Sequence, residues 1–270
     1  MRFINLRPDR GTSLLLALLP FVLVVVAYVI GSAERLAENP ADKLLPSLST
    51  LAETTIRVAF TADARTGDYM LLTDTLASLE RLVSALAIAT ATALVLGVLI
   101  GLLPVMNAFL AGFVAMVSMV PPLAILPILF IVMGLGEASK IALIVIGVAP
   151  FLTRDLAMRV RELPREQLIK AQTLGASTWQ IAVRIVLPQI LPRLIDGLRL
   201  SLGPAFLFLI AAEAIAADAG LGYRIFLVRR YLAMDVILPY VAWITLLSVG
   251  MDYGLARLRD AAFPWFGGAK

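Results

Sequence analysis

Long runs of apolar residues, separated by short polar segments, extend along almost the whole chain. The longest run lies between Arg81 and Glu137 and contains no Asp, Glu, Lys or Arg. A helix needs roughly 20 apolar residues to cross the hydrocarbon core of a bilayer, so this run is long enough for two crossings. The apolar positions are continuous and do not alternate with polar ones, which favours helices over the strands of a membrane barrel.

We therefore predict an all-α, polytopic bundle of about six transmembrane helices. The predicted spans are residues 13–30, 79–103, 109–133, 138–156, 190–216 and 236–255. Five spans is the main alternative, because the charge-free cores of the last three are short. The segment at residues 45–60 is weakly amphipathic and too charged to cross, so we expect it to lie along the membrane surface.

The spans divide the sequence into three parts. Residues 1–77 hold an N-terminal tail, the first span and the amphipathic segment, and residues 78–265 hold the other spans. Residues 266–270 form a C-terminal tail. A polar loop at residues 159–188 separates the fourth span from the fifth.

The composition agrees with a membrane protein and excludes several kinds of chemistry. The chain is 60% hydrophobic and 16% charged, whereas soluble domains carry about 25% charged residues. Cys and His are both absent, which excludes disulfides, Cys/His metal sites and an imidazole acid or base. The sequence also lacks the Gly-rich phosphate loop of ATPases. We expect neither an enzyme nor a cofactor-binding chain.

The positive residues stand beside the spans, which favours membrane topology over nucleic-acid binding as their role. Under the positive-inside rule, three segments place both termini and the polar loop in the cytoplasm. Their residues are Arg2, Arg7, Arg10, Arg154, Arg159, Arg161, Arg165, Lys170, Arg184, Arg193, Arg257, Arg259 and Lys270. Arg224, Arg229 and Arg230 are exceptions that fall outside. The first apolar stretch is longer than a signal-peptide core, so we expect it to be retained.

The polar loop has the pattern of two short helices joined at a glycine. Residues 164–172 favour a helix, and Gly175 can adopt the conformation that ends it. Ser177 can then cap a second helix that begins near Thr178. Such a unit suits insertion into a groove on a partner, although the pattern alone fits an ordinary connector equally well.

This loop resembles the signature loop of binding-protein-dependent ABC importer permeases. Their pattern is Glu-Ala-Ala, three residues, Gly, and about nine residues later an apolar residue followed by Leu-Pro. The chain matches at Ala171, Gly175 and Val186-Leu187-Pro188, and it departs at Ile169 and Lys170. The resemblance implies coupling to an ATPase through Lys170, Ala171, Gln172, Gly175, Ala176, Leu187 and Pro188.

Residues 78–265 are similar to the nitrate, sulfonate, taurine and bicarbonate branch of these permeases, and also to permeases associated with urea- or guanidine-degrading enzymes. The supporting stretches are residues 118–140, residues 211–226 and Pro264-Trp265. The resemblance implies a type I importer fold in the bacterial inner membrane. It also implies a homodimer of this chain, two subunits that bind ATP and Mg, and an external solute-binding protein. A secondary transporter driven by an ion gradient is the alternative, but the sequence shows neither inverted repeats nor a cluster of intramembrane acids.

Two features inside the spans are candidates for a translocation path. Ser118, Met119, Pro121 and Pro122 form a kink, since tandem prolines remove backbone hydrogen bonds and exposed backbone at membrane depth requires protein or a water-filled cavity. A purely structural kink is an equal alternative. Glu213 lies late in the fifth span, and we favour an ion pair with Arg224 or Arg230 over direct substrate binding; Asp252 in the sixth span is similarly ambiguous.

Two spacings predict helix contacts. Small residues recur every fourth position in the second span, at Ala85, Ala89, Ala93, Gly97 and Gly101. Such a ridge lets helices approach closely in lipid, and packing within one bundle is favoured over a dimer seam. Arg193, Asp196 and Arg199 share one helix face, which predicts a local ion-pair ladder.

The absence of cysteine makes the topology directly testable by single-cysteine labelling. We expect Ser177→Cys to react with a membrane-impermeant thiol reagent only from the cytoplasmic side, and Thr66→Cys only from outside. The measurement is labelling of intact cells against inverted vesicles. The reverse pattern would invert the whole topology.

Overall fold

The computed structural model describes residues 9–40, 42–62 and 67–266. These residues are predominantly helical, and β pairing among them is a single isolated bridge between Ala62 and Tyr69. The helices are α1 (Arg10–Glu38), α2 (Leu48–Phe60), α3 (Met70–Leu102), α4 (Pro104–Val117), α5 (Pro122–Met133), α6 (Glu137–Arg161), α7 (Arg165–Thr173), α8 (Thr178–Ile181), α9 (Leu187–Ala216), α10 (Leu221–Arg229) and α11 (Met234–Ala262). Arg2, Arg7, Thr66 and Lys270 lie outside the described residues.

Within the described ranges, five helices are long and apolar enough to cross a membrane, and one bent pair can supply a sixth crossing. The five are α1, α3, α6, α11 and the continuous stretch from Thr178 to Ala216. The bent pair is α4 and α5, whose axes differ by 93°. All six predicted spans therefore coincide with helices, and the prolines at residues 121 and 122 break the third span where the sequence placed a kink.

The helices that contain the second and fifth predicted spans begin earlier than those spans. α3 begins at Met70, nine residues before the predicted start, and the helical stretch of the fifth crossing begins at Thr178 instead of residue 190. In α3 the nine added residues carry Asp74, which a hydropathy argument counts as polar. A buried charge that is paired within the bundle does not have to end a spanning helix.

The described chain divides into two compact units. The first contains residues up to Tyr69 together with Val228–Tyr240, and the second contains Met70–Leu227 and the residues from Val241 onward. In the first unit, side chains near the end of α1 are hydrogen-bonded to the backbone of the loop before α2. Tyr28 Oη donates to the carbonyl of Pro46 at 2.6 Å, and Ser32 Oγ donates to the carbonyl of Leu45 at 2.9 Å. α2 forms within the segment that the sequence marks as amphipathic.

The second unit is built around the contact between α3 and α6. Ala85, Ala89 and Ala93 are completely buried. An added Cβ at Gly97 would lie 2.9 Å from Leu156 Cβ, and one at Gly101 would lie 2.5 Å from Val160 Cβ and 2.9 Å from the carbonyl oxygen of Ala157. The small-residue ridge of α3 therefore packs within the bundle, against α6, as the spacing favoured.

We expect Gly101→Ala to lower the free energy of unfolding by about 1–3 kcal/mol, because the new methyl group meets side-chain and backbone atoms of α6. The measurement is thermal unfolding of the purified protein in detergent. Gly112→Ala is the matched control, since an added Cβ at Gly112 meets nothing within 4 Å. Equal unfolding midpoints for the two variants would contradict the packing described for α3.

Candidate functional site

The segment from α7 to α8 is a rigid helix–turn–helix whose turn depends on Gly175. The amide of Gly175 donates to the carbonyl of Gln172 at 2.9 Å, and the amide of Ala176 donates to the carbonyl of Ala171 at 3.0 Å. These two bonds form a Schellman motif, which needs a left-handed residue after the helix end. Gly175 has a φ of +80°, so glycine is favoured here for its backbone and not for lack of space.

The second helix of this segment begins with a reciprocal cap. Ser177 Oγ accepts from the amide of Gln180 at 3.3 Å, and the amide of Ser177 donates to Gln180 Oε1 at 2.8 Å. The helix then widens into a π-helical turn at Ala182–Val186 before α9 starts at Leu187. Pro188 gives a physical reason for the wide turn, because it has no N–H and its ring would clash with the carbonyl of residue 184.

One side of the α7–α8 segment is anchored in the bundle. Ala171 and Ile181 are buried, and they belong to one apolar cluster with residues of α6, α9 and the π turn. The other buried members of this cluster are Leu156, Val160, Val186, Ile190 and Leu194. Ala176 and Leu187 pack against it while partly exposed. The cluster therefore joins the segment to two helices that are long enough to span a membrane.

The other side of the segment is an exposed apolar tip. Leu174 next to the turn is 79% exposed, and Trp179 just after the cap is 76% exposed. Lys170, Gln172 and Gly175 are exposed as well, whereas Pro188 is half-buried at the start of α9. The predicted coupling residues thus fall into an anchored set and an exposed set, which is the arrangement expected of a docking element.

The bend between α4 and α5 occupies the predicted position of the kink. Ser118 ends α4, and its Oγ donates to the carbonyl of Ala115 at 2.7 Å. Pro121 and Pro122 offer no N–H, so α4 cannot continue through them. Met119 is 72% exposed at the corner. Arg154 of α6 reaches the same corner, where its Nη1 donates to Ser118 Oγ at 3.4 Å.

Glu213 lies at the end of the second unit opposite the α7–α8 segment, and its side chain is fully buried. Its Oε1 accepts from Ser78 Oγ and from Arg81 Nη1, both at 2.7 Å. Its Oε2 accepts from the amide of Gly222 at 2.8 Å. The carboxylate is therefore paired and hydrogen-bonded by α3 and by the start of α10, as a buried charge requires.

The ion-pair interpretation of Glu213 is confirmed, but the predicted partners are wrong. Arg81 takes the place assigned to Arg224 and Arg230, and Arg224 Nε instead donates to Asp74 at 2.8 Å. The spacing of Asp74, Ser78 and Arg81, at i, i+4 and i+7 on one helix face, is the signal that could have found them.

The same cluster, which we call the Glu213 network, extends to α6 and to the turn after α9. Arg81 also binds Glu137 of α6 and donates to the carbonyl of Ala219 at 2.8 Å. The amide of Gly220 donates to Asp74 at 3.0 Å. Gly220 has a φ of +139°, and a Cβ there would lie 2.6 Å from the Glu213 carboxyl carbon. The backbone of this turn therefore packs directly against the buried carboxylate of Glu213.

The predicted ladder on α9 is partly correct. Arg199 Nη1 lies 3.4 Å from Asp196, as the spacing predicts, but both residues also bind α11. Arg199 Nε donates to Asp252 at 2.8 Å, and Asp196 accepts from Arg259. Arg193 does not join the ladder and instead stacks over the ring of Phe266. Asp252 is therefore one half of a pair between helices.

Residues 77–260 match the family model described as binding-protein-dependent transport system inner membrane component. The chain belongs to this permease family. The family match covers α3 to most of α11, including the α7–α8 segment, the bend and the Glu213 network. The chain is accordingly a multi-pass transporter subunit of the membrane. No group of three or more His, Cys, Asp or Glu residues that could hold a metal ion occurs among the described residues.

Named relatives of this permease cover most of its length. It is 36% identical over 191 residues to the taurine transport system permease protein TauC of Escherichia coli, covering 71% of this chain and 70% of TauC. It is 28% identical to the bicarbonate transport system permease protein CmpB of Synechocystis, covering 73% of this chain and 71% of CmpB. The putative aliphatic sulfonates transport permease protein SsuC of Escherichia coli is 29% identical over 56% of this chain and 58% of its own.

A solved structure shows the same fold. Inward-facing MetNI, a methionine ABC transporter, contains a chain that superposes with a TM-score of 0.64 at 19% identity. The superposition covers 72% of this permease and 96% of the matched chain. The predicted all-α ABC permease fold is confirmed.

We expect Glu213→Ala to destabilise the permease by about 3–5 kcal/mol, because Arg81 loses one of its two carboxylates and the buried amide of Gly222 loses its acceptor. The measurement is the midpoint of thermal unfolding in detergent. Glu162→Ala is the matched control, since Glu162 pairs with Arg159 at 3.1 Å while 58% exposed, and exposed pairs contribute about 0–1 kcal/mol.

A double variant, Arg81→Met with Glu213→Leu, removes both charges but keeps side chains of similar volume. It tests whether the loss of stability in Glu213→Ala comes from the broken charge pair. We expect it to recover part of the lost stability, because replacing both charges by apolar groups leaves no buried charge unpaired. If Glu213→Ala lowers the unfolding midpoint no more than the exposed control Glu162→Ala does, the buried carboxylate does not stabilise this end of the bundle.

Proposed function

We propose that this chain is the membrane permease of an ATP-driven importer for a small polar solute. In this proposal two copies of the chain form the path, two separate subunits bind ATP and Mg, and an external binding protein delivers the solute. The chain itself contributes no catalytic residue. Its termini and the α7–α8 segment lie in the cytoplasm, in agreement with the distribution of Lys and Arg.

The observation that carries the proposal is the asymmetry of the α7–α8 segment. An exposed Leu174 and Trp179 beside a rigid glycine turn provide an apolar tip, and large apolar side chains exposed together are typical of interaction sites. The buried side of the segment connects this tip to α6 and α9. A partner that grips the tip and moves can therefore shift both helices, and alternating access needs a rigid-body movement of this kind.

The solute class is supported by the relatives. These relatives are named for the transport of taurine, aliphatic sulfonates and bicarbonate, which are all small molecules with an anionic oxygen group. We propose a solute of this class, and we extend it to nitrate on the resemblance noted in the sequence. A urea- or guanidine-like solute is the other class that the sequence resemblance allows.

An ion-coupled secondary transporter is less well supported. Such a mechanism needs an intramembrane acid that can gain and lose a proton or bind an ion. The two candidates, Glu213 and Asp252, are both held by arginines, Arg81 and Arg199.

We expect Leu174→Asp to weaken binding of the ATP-binding subunit at least about tenfold, because burying an unpaired carboxylate in an apolar groove is costly. The measurement is co-purification of the two subunits from detergent-solubilised membranes, together with uptake of labelled taurine by cells that express the whole transporter. Both signals should fall together, while the permease itself stays folded.

Leu258→Asp is the matched control. Leu258 is 56% exposed near the end of α11, and it does not belong to the α7–α8 segment. We expect this variant to retain the ATP-binding subunit. Full retention of that subunit by Leu174→Asp would show that the tip does not dock, and the proposed coupling would then be wrong.

A further inference from the structure

Arg154 is an exposed cation inside a membrane-spanning helix. It lies in α6 (Glu137–Arg161), seven residues before the helix end, which corresponds to about 10 Å at 1.5 Å per residue. Charged side chains at such positions are costly, and they usually face a partner, a cavity or a path.

Several cations in the spanning helices of the second unit are neutralised by carboxylates of the protein. Arg81, Lys140, Arg199 and Arg259 all pair with carboxylates. Arg154 differs, because among the described residues no carboxylate oxygen lies within 4.0 Å of it, and its one hydrogen bond is to Ser118 Oγ. A single neutral hydroxyl does not balance a full charge, so this guanidinium can still receive an anion.

Arg154 lines an open cavity at the α4–α5 bend. The cavity has a volume of about 200 Å³, and its walls are apolar side chains of α3, α4 and α6, including Ile100 and Val114, together with a second cation, Arg161. Arg161 donates to the side-chain oxygen of Asn107, and among the described residues no carboxylate oxygen lies within 4.0 Å of it. A cavity with apolar walls and few polar groups is typical of small-ligand sites. Arg154 connects this cavity to the predicted kink through its hydrogen bond to Ser118.

We propose that Arg154, together with the hydroxyl of Ser118, binds the anionic oxygen group of the transported solute at the α4–α5 bend. The inference rests on the proposed importer function and narrows its substrate class. The planar guanidinium donates two parallel hydrogen bonds to a sulfonate, carboxylate or bicarbonate group. A guanidinium-like solute is repelled by the same charge, so the site selects small oxyanions.

The first test uses the absence of cysteine. Ser118→Cys places a single thiol beside Arg154 in the whole transporter in proteoliposomes. The probes are sulfonatoethyl methanethiosulfonate, which is itself an alkylsulfonate, and its trimethylammonium counterpart. We expect the anionic reagent to react faster. Replacing Arg154 by Gln should slow the anionic reagent and speed the cationic one, each about fivefold, as expected for one charge at about 4 Å in water.

Two further variants serve as controls. Arg154→Lys keeps the charge and should keep the preference for the anionic reagent. Arg159→Gln removes a positive charge from the same helix, at a residue that pairs with Asp155 and Glu162, and it should leave the ratio of the two rates unchanged. A preference that Arg154→Gln leaves intact would overturn the proposal.

A second experiment distinguishes a soluble oxyanion from the phosphate of a lipid headgroup, since both present anionic oxygens to a guanidinium. Taurine at millimolar concentration should slow labelling by the anionic reagent in vesicles of phosphatidylcholine alone. If only added phosphatidylglycerol slows labelling, Arg154 binds lipid headgroups and the assignment is wrong. If the thiol at residue 118 reacts with neither reagent, with or without ATP, the bend faces lipid and not a water-filled path. That result would also overturn the proposed anion site.

This test is independent of the coupling test. Labelling at residue 118 requires no docking of the ATP-binding subunit, so combining Leu174→Asp with Ser118→Cys should abolish uptake while the charge preference remains. In Ser118→Cys with Leu174 unchanged, equal rates for the two reagents alongside normal uptake would contradict the anion site alone. In that same variant, a preference for the anionic reagent without any ATP-dependent uptake would contradict the importer function alone.

Discussion

The buried ion pair between Glu213 and Arg81 is the interaction on which one end of the helical bundle depends. A carboxylate with no exposed surface is tolerated only when its charge is paired and its oxygens accept hydrogen bonds. Ser78 and Arg81 come from α3, and the amide of Gly222 comes from α10. Shifting any one of these helices alone would leave a buried polar group without a partner, so we expect them to move together.

Two helices connect this end to the docking segment. α6 contributes Glu137 to the Glu213 network and Leu156 and Val160 to the cluster under the α7–α8 segment. α9 carries Glu213 near one end and Ile190 near the other. Close-packed interiors transmit strain with little compression, so in the proposed coupling a displacement applied at the exposed tip would reach the far end through α6 and α9.

The bend between α4 and α5 lacks two backbone hydrogen-bond donors. Pro121 and Pro122 remove them at the corner, and Met119 is exposed there. Arg154 donates to Ser118 at this corner, and among the described residues no carboxylate oxygen lies within 4.0 Å of it. The exposed tip, the Glu213 network and this corner thus lie in separate parts of the second unit.

The sequence by itself determined the membrane class, the positions of the apolar helices, the kink and the helix–turn–helix around Gly175. These features are local: they follow from run length, from the missing N–H of proline and from the positive φ that glycine tolerates. Only the tertiary structure decided the partners of the buried charges. Arg81 and Glu213 are 132 residues apart, and an arginine that costs energy in isolation becomes part of a spanning helix once the fold supplies its carboxylate. The same reason explains why α3 starts earlier than its hydropathy predicts, and why Arg154 can be distinguished from Arg81 and Lys140 only once the fold has supplied their carboxylates.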